Sequence, residues 1–254
     1  MTELGRTPPI AVRRLLRQEA GFGCPVDNCD NPYLEYHHFD PTWATEQHHD
    51  PQGMIALCAT HHAKADAWTV EDVRAMKDRV RSRTVAGRFE WMREDVLAVV
   101  GGNFYYETPI MVEFRGEPMI WFERDERNRL LLNVRMLSTS GEPRTSLMNN
   151  DWLIDGAPED VSSPPNGSSL KVKYANGDMV AVRFREWSDA DSLGRVFPRA
   201  LALGSSLRFP FVTAEIELEV GGSDIRLSAT SSTLGGVIMA GQVMIRCRVG
   251  LGIG

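Results

Sequence analysis

The sequence predicts an α+β protein in two parts. The first is a small N-terminal domain with flanking helices over residues 1–100, with its core at 24–68, and the second is a predominantly antiparallel β-rich domain over 103–254, of sandwich or barrel type. Three observations lead to this prediction. Apolar residues recur at helical spacing near the N-terminus, and they alternate with period two after Gly101-Gly102. Between these regions, all six histidines and three of the four cysteines fall in a stretch that has no sustained periodicity.

Several helices are expected in the first part. Residues 9–20 carry an apolar side and end at two glycines, which predicts a helix. A short helix is expected from Thr60, and a longer one from Thr69, because Thr69 and Asp72 match a capping box. Residues 89–100, FEWMREDVLAVV, are expected to continue as helix as far as the glycine pair.

The second part consists of short alternating segments separated by turn residues. The segments are VEFRG, MIWFE, LLLNVRML, LKVKYANGDMVAVRF, AEIELEVGGSDIRLSAT and GVIMAGQVMIRCRV. Asn176-Gly177 is the strongest hairpin signal among them. Residues 156–169, GAPEDVSSPPNGSS, are expected to form an exposed loop. Trp121, Trp152 and Trp187 are expected in core or edge packing, with a ligand cage as the alternative.

The composition is that of an ordinary globular protein. The chain has 254 residues and 43% hydrophobic residues, which excludes a collagen, a disulfide scaffold and a disordered tail. We find no apolar stretch typical of a signal peptide or of a membrane span, so we expect a cytoplasmic protein without a membrane partner. In a reducing compartment, cysteines close to histidines indicate metal ligands rather than disulfides.

The charge is acidic overall but locally basic. A net charge of −6 argues against coating nucleic acid by bulk electrostatics, yet residues 74–88 hold six basic residues against the single acid Asp78. Arg13, Arg14 and Arg17 form a second basic cluster near the N-terminus. Each cluster either contacts a nucleic-acid backbone or forms a solvated helix face. The candidate backbone contacts are Arg13, Arg14, Arg17, Arg74, Lys77, Arg79, Arg81 and Arg83.

Four residues have the spacing of a structural zinc site. Cys24 and Cys29 form one short pair, and Cys58 and His61 form a second pair farther along the chain. Two such pairs supply a tetrahedron of soft ligands and connect distant segments. The alternative is that the cysteines are small buried apolar residues and that His61 is a core histidine.

A second group of residues could serve hydrolysis. If His62 and Asp66 share a helix, they lie on one face of it, four residues apart. His37 and His38 are adjacent in an extended segment, so one could bind a metal while the other takes a proton from water with a near-neutral pKa.

The stretches CPVDNC, EYHHFDP and GMIALCATHHAKAD together resemble the HNH endonuclease family in its zinc-containing ββα-metal form. The resemblance implies structural zinc on Cys24, Cys29, Cys58 and His61, with His61 standing where the family usually has a cysteine. It also implies His38 as general base and a catalytic divalent cation (Mg or Mn, with Ni or Zn as further candidates) at His37, His62 and Asp66. The implied reaction is hydrolysis of phosphodiester bonds in nucleic acid, with double-stranded DNA as the expected partner.

One position departs from the family pattern. The central Asn of the family usually precedes the apolar pair that this chain has at Met54-Ile55, and here Gly53 stands in its place. His48, His49 or Gln52 could orient the base instead, or the two histidines could be loop residues that contact phosphate or solvent. The alternative to a nuclease is a catalytically degenerate, zinc-stabilised module that binds nucleic acid or protein.

The β-rich part has no family assignment. Its fusion to a small nuclease motif suggests target recognition, dimerisation, or regulation by a ligand or protein. A homodimer is expected if a single-site nuclease cuts both strands. Phage defence or a mobile element is the expected setting.

Overall fold

The computed structural model describes residues 4–79, 84–91 and 93–254. Within these residues the fold class is α+β, as predicted, with few helices and a large sheet-rich part. The α-helices are α1 (Ile10–Glu19), α2 (Ala59–His62), α3 (Val70–Lys77) and α4 (Ala190–Val196). No helix in the described residues is long and apolar enough to cross a membrane, and the longest α-helix has 10 residues.

A two-stranded antiparallel hairpin followed by a helix forms the centre of the N-terminal part. Its strands are β1 (Leu34–His38) and β2 (Met54–Cys58), with Leu34 opposite Cys58 and His38 opposite Met54. Every residue of β2 is buried, and β2 packs with Leu16 of α1 and Val73 of α3. Because α2 starts directly after Cys58, the hairpin and the helix lie next to each other.

The predicted helix starts in this part are confirmed. The short helix α2 begins one residue before Thr60. The Thr69 side chain accepts a hydrogen bond from the Asp72 amide, and the Asp72 side chain accepts one from the Thr69 amide, which is the capping box expected for α3.

The remaining strands build two large sheets. They are β3 (Val85–Arg88), β4 (Val96–Val100), β5 (Asn103–Tyr106), β6 (Ile110–Phe114), β7 (Glu117–Arg124), β8 (Leu130–Arg135), β9 (Ser146–Met148), β10 (Asp151–Ile154), β11 (Pro158–Ser162), β12 (Ser169–Tyr174), β13 (Met179–Trp187), β14 (Phe211–Glu219), β15 (Arg226–Leu227), β16 (Ser232–Leu234), β17 (Val237–Met239), β18 (Val243–Ile245) and β19 (Val249–Ile253). One sheet has the order β19-β6-β7-β8-β9-β10-β3. The other follows β11 to β17, with β4 paired to β14, β5 to β4 and β18 to β5. Three pairs are parallel (β4 with β14, β5 with β18, β6 with β19), and the others are antiparallel.

The helix expected over residues 89–100 is wrong, because this segment enters the sheets. In β4, Val96, Ala98 and Val100 face the core that the two large sheets share, whereas Leu97 and Val99 face a second core covered by α4. A strand buried on both faces reads as a continuous apolar run, which periodicity alone does not separate from a helix. β3 also pairs with β10, so strands of the large sheets occur before residue 103 as well.

Other expectations for the β-rich part have mixed outcomes. The Asn176-Gly177 hairpin is confirmed, because it joins the paired strands β12 and β13. The three tryptophans are buried, as expected. The loop expected at 156–169 is wrong in part, because it contains β11, in which Asp160 and Val161 are buried.

A buried ion pair connects the two parts. Arg17 of α1 donates two hydrogen bonds to Asp160 Oδ1, at 2.8 and 3.0 Å, and one to Oδ2 at 2.7 Å. It also donates to the Tyr36 hydroxyl on β1 at 2.7 Å. One guanidinium therefore connects the β-rich part to the strand that carries His37 and His38.

Candidate functional site

Cys24, Cys29, Cys58 and His61 converge on one point. Their ligand atoms all lie within 4.8 Å of one another. His61 Nδ1 is 3.4 Å from Cys24 Sγ and 3.3 Å from Cys58 Sγ, and Cys29 Sγ is 3.7 Å from Cys58 Sγ. A zinc tetrahedron with bonds of about 2.3 Å to sulfur and about 2.05 Å to nitrogen has edges of about 3.8 and 3.6 Å. The cluster therefore fits a metal such as zinc.

Local structure brings the two pairs together. The turn after α1 carries Cys24 and Cys29, and it is closed by a hydrogen bond from the Cys24 amide to the Asn31 carbonyl at 2.9 Å. The end of β2 carries Cys58, and α2 carries His61. Burial raises the pKa of the Cys24 thiol to about 12, so a thiolate at this position requires a cation beside it.

His37, His38, His62 and Asp66 line a second site, a cavity of about 460 Å³. His37 Nε2 lies 3.9 Å from Asp66 Oδ1, and the His37 and His62 ring centroids are 5.3 Å apart. The helix expected to carry both His62 and Asp66 ends at His62, so Asp66 lies on a following 3₁₀ turn with its side chain 91% exposed. Burial, followed by the neighbouring His62 charge, lowers the pKa of His37.

Two imidazoles and a carboxylate around one cavity are a donor set that suits a divalent cation. Two ligands on an octahedral ion with bonds of about 2.1 Å lie about 3 to 4.2 Å apart, which includes the His37 to Asp66 separation. Within the described residues, however, only the cysteine cluster holds three or more ligand atoms that all lie within 4.8 Å of one another. The donors of the cavity are thus more loosely spaced than those of the cysteine cluster.

Glu35 is a site residue that the sequence reasoning missed. Its Oε2 lies 3.2 Å from His62 Nδ1, which leaves Nε2 of that ring for another contact. Glu35 and His37 are two residues apart on β1, and residues at this spacing share a strand face. That alternation is the signal that could have identified Glu35 from the sequence.

His38 is buried, and its tautomer follows from its hydrogen bond. Its Nε2 lies 3.0 Å from the His48 carbonyl oxygen. A carbonyl can only accept, so Nε2 carries the proton and Nδ1 keeps the lone pair. The expected near-neutral pKa is wrong, because the pKa of His38 is lowered to about 4. Burial is the largest cause; the hydrogen bond to the His48 carbonyl opposes it, and the His48, His49 and Arg6 charges contribute to the lowering. The ring is therefore neutral at pH 7.

His48, one candidate for orienting the base, contacts His38 through its backbone carbonyl. Its ring is engaged in its own loop, with Nε2 2.8 Å from the Pro41 carbonyl oxygen and Nδ1 accepting from the Asp50 amide at 3.1 Å. The Gln52 side chain is exposed, and the backbone amide of Gln52 donates a hydrogen bond to the Asp50 carboxylate.

His49, the other candidate histidine, contacts Trp43, a residue that lines the cavity. Its Nε2 is 3.0 Å from the Gly5 carbonyl oxygen, and its ring stacks on Trp43 with centroids 5.5 Å apart.

The position of the family's Asn has no room for a side chain. A Cβ on Gly53 would lie 2.0 Å from the Asp40 carbonyl oxygen and 2.8 Å from His48 Cε1. The chain that follows His38 therefore occupies the space that an Asn would need, and this explains the glycine.

Most candidate backbone-contact residues have partners within the protein. Arg17 is buried against Asp160, and Lys77 is nearly buried between Glu19 and the Met54 carbonyl, so neither presents its charge at the surface. The others are more exposed: Arg14 pairs with Glu159, Arg74 with Asp40 and Arg79 with Asp27, whereas Nε of Arg13 is buried without a partner. Arg81 and Arg83 lie outside the described residues.

Arg6 is a basic residue on the cavity that the sequence reasoning did not select. It is exposed and lines the same cavity as His37 and His38, and its charge contributes to lowering the pKa of both. Nothing in its sequence context distinguishes it from other N-terminal arginines.

Comparisons of the chain with models of protein families, with curated proteins and with solved structures give no match.

Proposed function

We propose that the chain is a metal-dependent HNH-type endonuclease that hydrolyses phosphodiester bonds in nucleic acid, with DNA as the substrate. The observation that carries the proposal is the state of His38. Its Nε2 is bound to the His48 carbonyl, so its neutral ring keeps a free acceptor at Nδ1, in the same cavity as His37 and His62.

His38 acts as the general base. Its Nδ1 takes a proton from the attacking water, and such a base contributes roughly 10² to 10⁴ in rate. Burial keeps the ring unprotonated at neutral pH, so the proton-accepting form predominates. The His48 carbonyl holds the ring in place and performs the orienting task that the family gives to its Asn.

His37 and His62 would hold the catalytic divalent cation, with Asp66 as a third ligand. Such an ion, Mg or Mn with Ni or Zn as further candidates, supplies stabilisation of the negative charge that develops on the phosphate. Glu35 orients His62, since a metal-bound imidazole commonly donates its second nitrogen to a carboxylate. The cysteine cluster takes zinc in a structural role and connects the turn after α1 to α2.

The setting of this activity belongs to the same proposal. We assign the protein to the cytoplasm, in phage defence or a mobile element, with double-stranded DNA as partner. The β-rich part would serve recognition, dimerisation or regulation. The exposed ion-paired arginines Arg14, Arg74 and Arg79 could exchange their carboxylate partners for phosphates, whereas Arg17 and Lys77 are buried structural cations.

A plasmid-nicking assay with Mg²⁺, Mn²⁺, Ni²⁺ or Zn²⁺, run in parallel on an RNA substrate, tests the proposal. Wild type is compared with His38→Ala and with His38→Gln, whose amide can still donate to the His48 carbonyl but offers no basic nitrogen. We expect both variants to lose at least about 10²-fold in rate, with His38→Gln folding as wild type does. Wild-type protein that cleaves neither DNA nor RNA with any of the four metals would falsify the nuclease proposal.

The second candidate function is a zinc-stabilised binding module without catalysis. The glycine at the family's Asn position and the loose spacing of His37, His62 and Asp66 favour it. This candidate predicts that nucleic acid or a protein partner is bound without cleavage, and that His38→Gln leaves the binding affinity unchanged.

A further inference from the structure

Arg6 has an unusual position for an exposed arginine. It lines the cavity together with His37, His38 and His62. Among the residues that the structure describes, no carboxylate pairs with it, in contrast to Arg14, Arg74 and Arg79. Asp66 lines the same cavity, but its nearest basic partner is His37, and no ion pair joins it to Arg6. A guanidinium that no carboxylate engages can bind an anion.

The backbone beside Arg6 is attached to the rim of this cavity. The His49 ring contacts the Gly5 carbonyl oxygen through Nε2 at 3.0 Å, and Nε2 therefore donates. The face of the His49 ring stacks on Trp43, which also lines the cavity. Trp43 in turn lies beside His38, with ring centroids 4.8 Å apart. The N-terminal segment is thus held next to the histidines by a specific hydrogen bond, and His49 acquires a role that its sequence position did not reveal.

The anion that fits this arrangement is a phosphate diester. Arg6 presents a fork of N–H donors that matches two oxygens of a phosphate. A basic side chain on the cavity of the proposed general base would contact the phosphate being cleaved rather than a distant part of the backbone.

We infer that Arg6 binds the non-bridging oxygens of the phosphodiester in this cavity and that His49 positions Arg6 by holding Gly5. The inference rests on the proposed nuclease function, and it adds the phosphate-binding residue. Arg6 is not among the seven arginines and one lysine that the basic clusters offered as backbone contacts.

The first test compares Arg6→Ala and Arg6→Lys with wild type. We expect kcat/KM for DNA cleavage to fall by roughly 10²-fold in Arg6→Ala, the scale of removing one preorganised donor from a transition state. Arg6→Lys keeps the charge and loses the fork, so it should fall less. Arg127→Ala is the matched control, because Arg127 is an exposed arginine of the β-rich part and its removal changes the net charge equally. All of these variants should keep the wild-type unfolding midpoint.

A binding measurement separates this inference from the nuclease proposal. Binding of a labelled DNA duplex by the non-cleaving His38→Gln protein is followed by fluorescence anisotropy at several salt concentrations. Adding Arg6→Ala should reduce the slope of log K against log salt by about 0.9, the value for one phosphate contact on a duplex. Arg127→Ala should leave the slope unchanged.

The role of His49 is tested with His49→Phe, which keeps a ring to stack on Trp43 and removes the donor to Gly5. Alone, it should lower kcat/KM in the same direction as Arg6→Ala. In the Arg6→Ala protein it should cause no further decrease, because both changes remove one interaction. An additive decrease assigns His49 a separate structural role and overturns the positioning step.

The outcomes are distinct. If wild type cleaves DNA and Arg6→Ala behaves as Arg127→Ala in both assays, the inference is wrong and the nuclease proposal stands. If wild type cleaves nothing, the nuclease proposal fails, and the salt slope still decides whether Arg6 contacts phosphate. Absence of any salt-dependent DNA binding overturns the inference as well.

Discussion

Gly53 gives the sharpest test of how the loop after His38 is built. A Cβ at this position would lie 2.0 Å from the Asp40 carbonyl oxygen, and a normal C···O contact is about 3.3 Å or more. Gly53→Ala therefore requires a backbone shift of roughly 1.3 Å. That shift breaks or stretches the hydrogen bonds that the Phe39 and Asp40 amides donate to the Gly53 carbonyl at 2.9 and 3.3 Å.

The expected cost follows from these contacts. Overpacking costs about 1–3 kcal/mol, and two weakened hydrogen bonds add about 1 kcal/mol each. Gly53→Ala should then lower the free energy of unfolding by roughly 3–5 kcal/mol. Gly53→Asn, which introduces the residue typical of the HNH family, should destabilise at least as much and should not increase the proposed activity.

Urea unfolding measured by circular dichroism checks this expectation. Gly252→Ala is the matched control, because no atom lies within 4 Å of a Cβ built there and its φ is not positive. The control should change stability by less than about 0.5 kcal/mol. If Gly53→Ala were as stable as Gly252→Ala, the steric account of the missing Asn would be refuted.

Three other perturbations address the ion pair between the two parts, a buried carboxylate and the metal cluster. Asp160→Asn leaves Arg17 buried without its counter-charge, so urea unfolding should show a loss of about 3–5 kcal/mol, whereas its exposed neighbour Glu159→Gln should cost less than about 1 kcal/mol. Burial alone would raise the pKa of Asp178, but hydrogen bonds from Ser138, Asn176, Arg144 and the Gly221 amide outweigh it and lower that pKa. The stability from this group is thus complete above its unfolded pKa of about 3.9 and is lost as the pH falls through the lower folded value. The stability difference between wild type and Asp178→Asn should therefore shrink in that acid range. Chelation or Cys58→Ser should remove about one zinc per chain and the amide protection of residues 24–68, while Cys247→Ser, outside the cluster, should do neither; a folded, zinc-free chain would contradict the zinc assignment.

The sequence predicted the metal cluster and the capping box because both depend on short-range spacing. Cys24 and Cys29, and likewise Cys58 and His61, are close in sequence, and a four-ligand site for a metal such as zinc requires the two pairs to meet, as they do here. The Thr69 and Asp72 cap extends over only three residues. In both cases the residue types themselves specify the geometry.

The errors come from long-range contacts. Residues 96–100 form a strand because β14 and β5 pair with them on either side. β5 follows β4 directly in the sequence, but β14 is remote, so the residues near β4 do not reveal that pairing. Arg17 is separated from Asp160 by 143 positions, so nothing near Arg17 indicates that its charge is neutralised. Gly53 departs from the family pattern, and only the position of the Asp40 carbonyl in the fold explains the glycine.

The Arg17 contacts also bear on what the β-rich part does for the site. Tyr36 lies between Glu35 and His37 on β1, and its hydroxyl accepts a hydrogen bond from the guanidinium that Asp160 holds in place. Because a buried guanidinium without its carboxylate is costly, β11 and β1 stabilise each other's position through this one side chain. The β-rich part therefore helps to hold the strand that carries His37 and His38, in addition to the recognition role proposed for it.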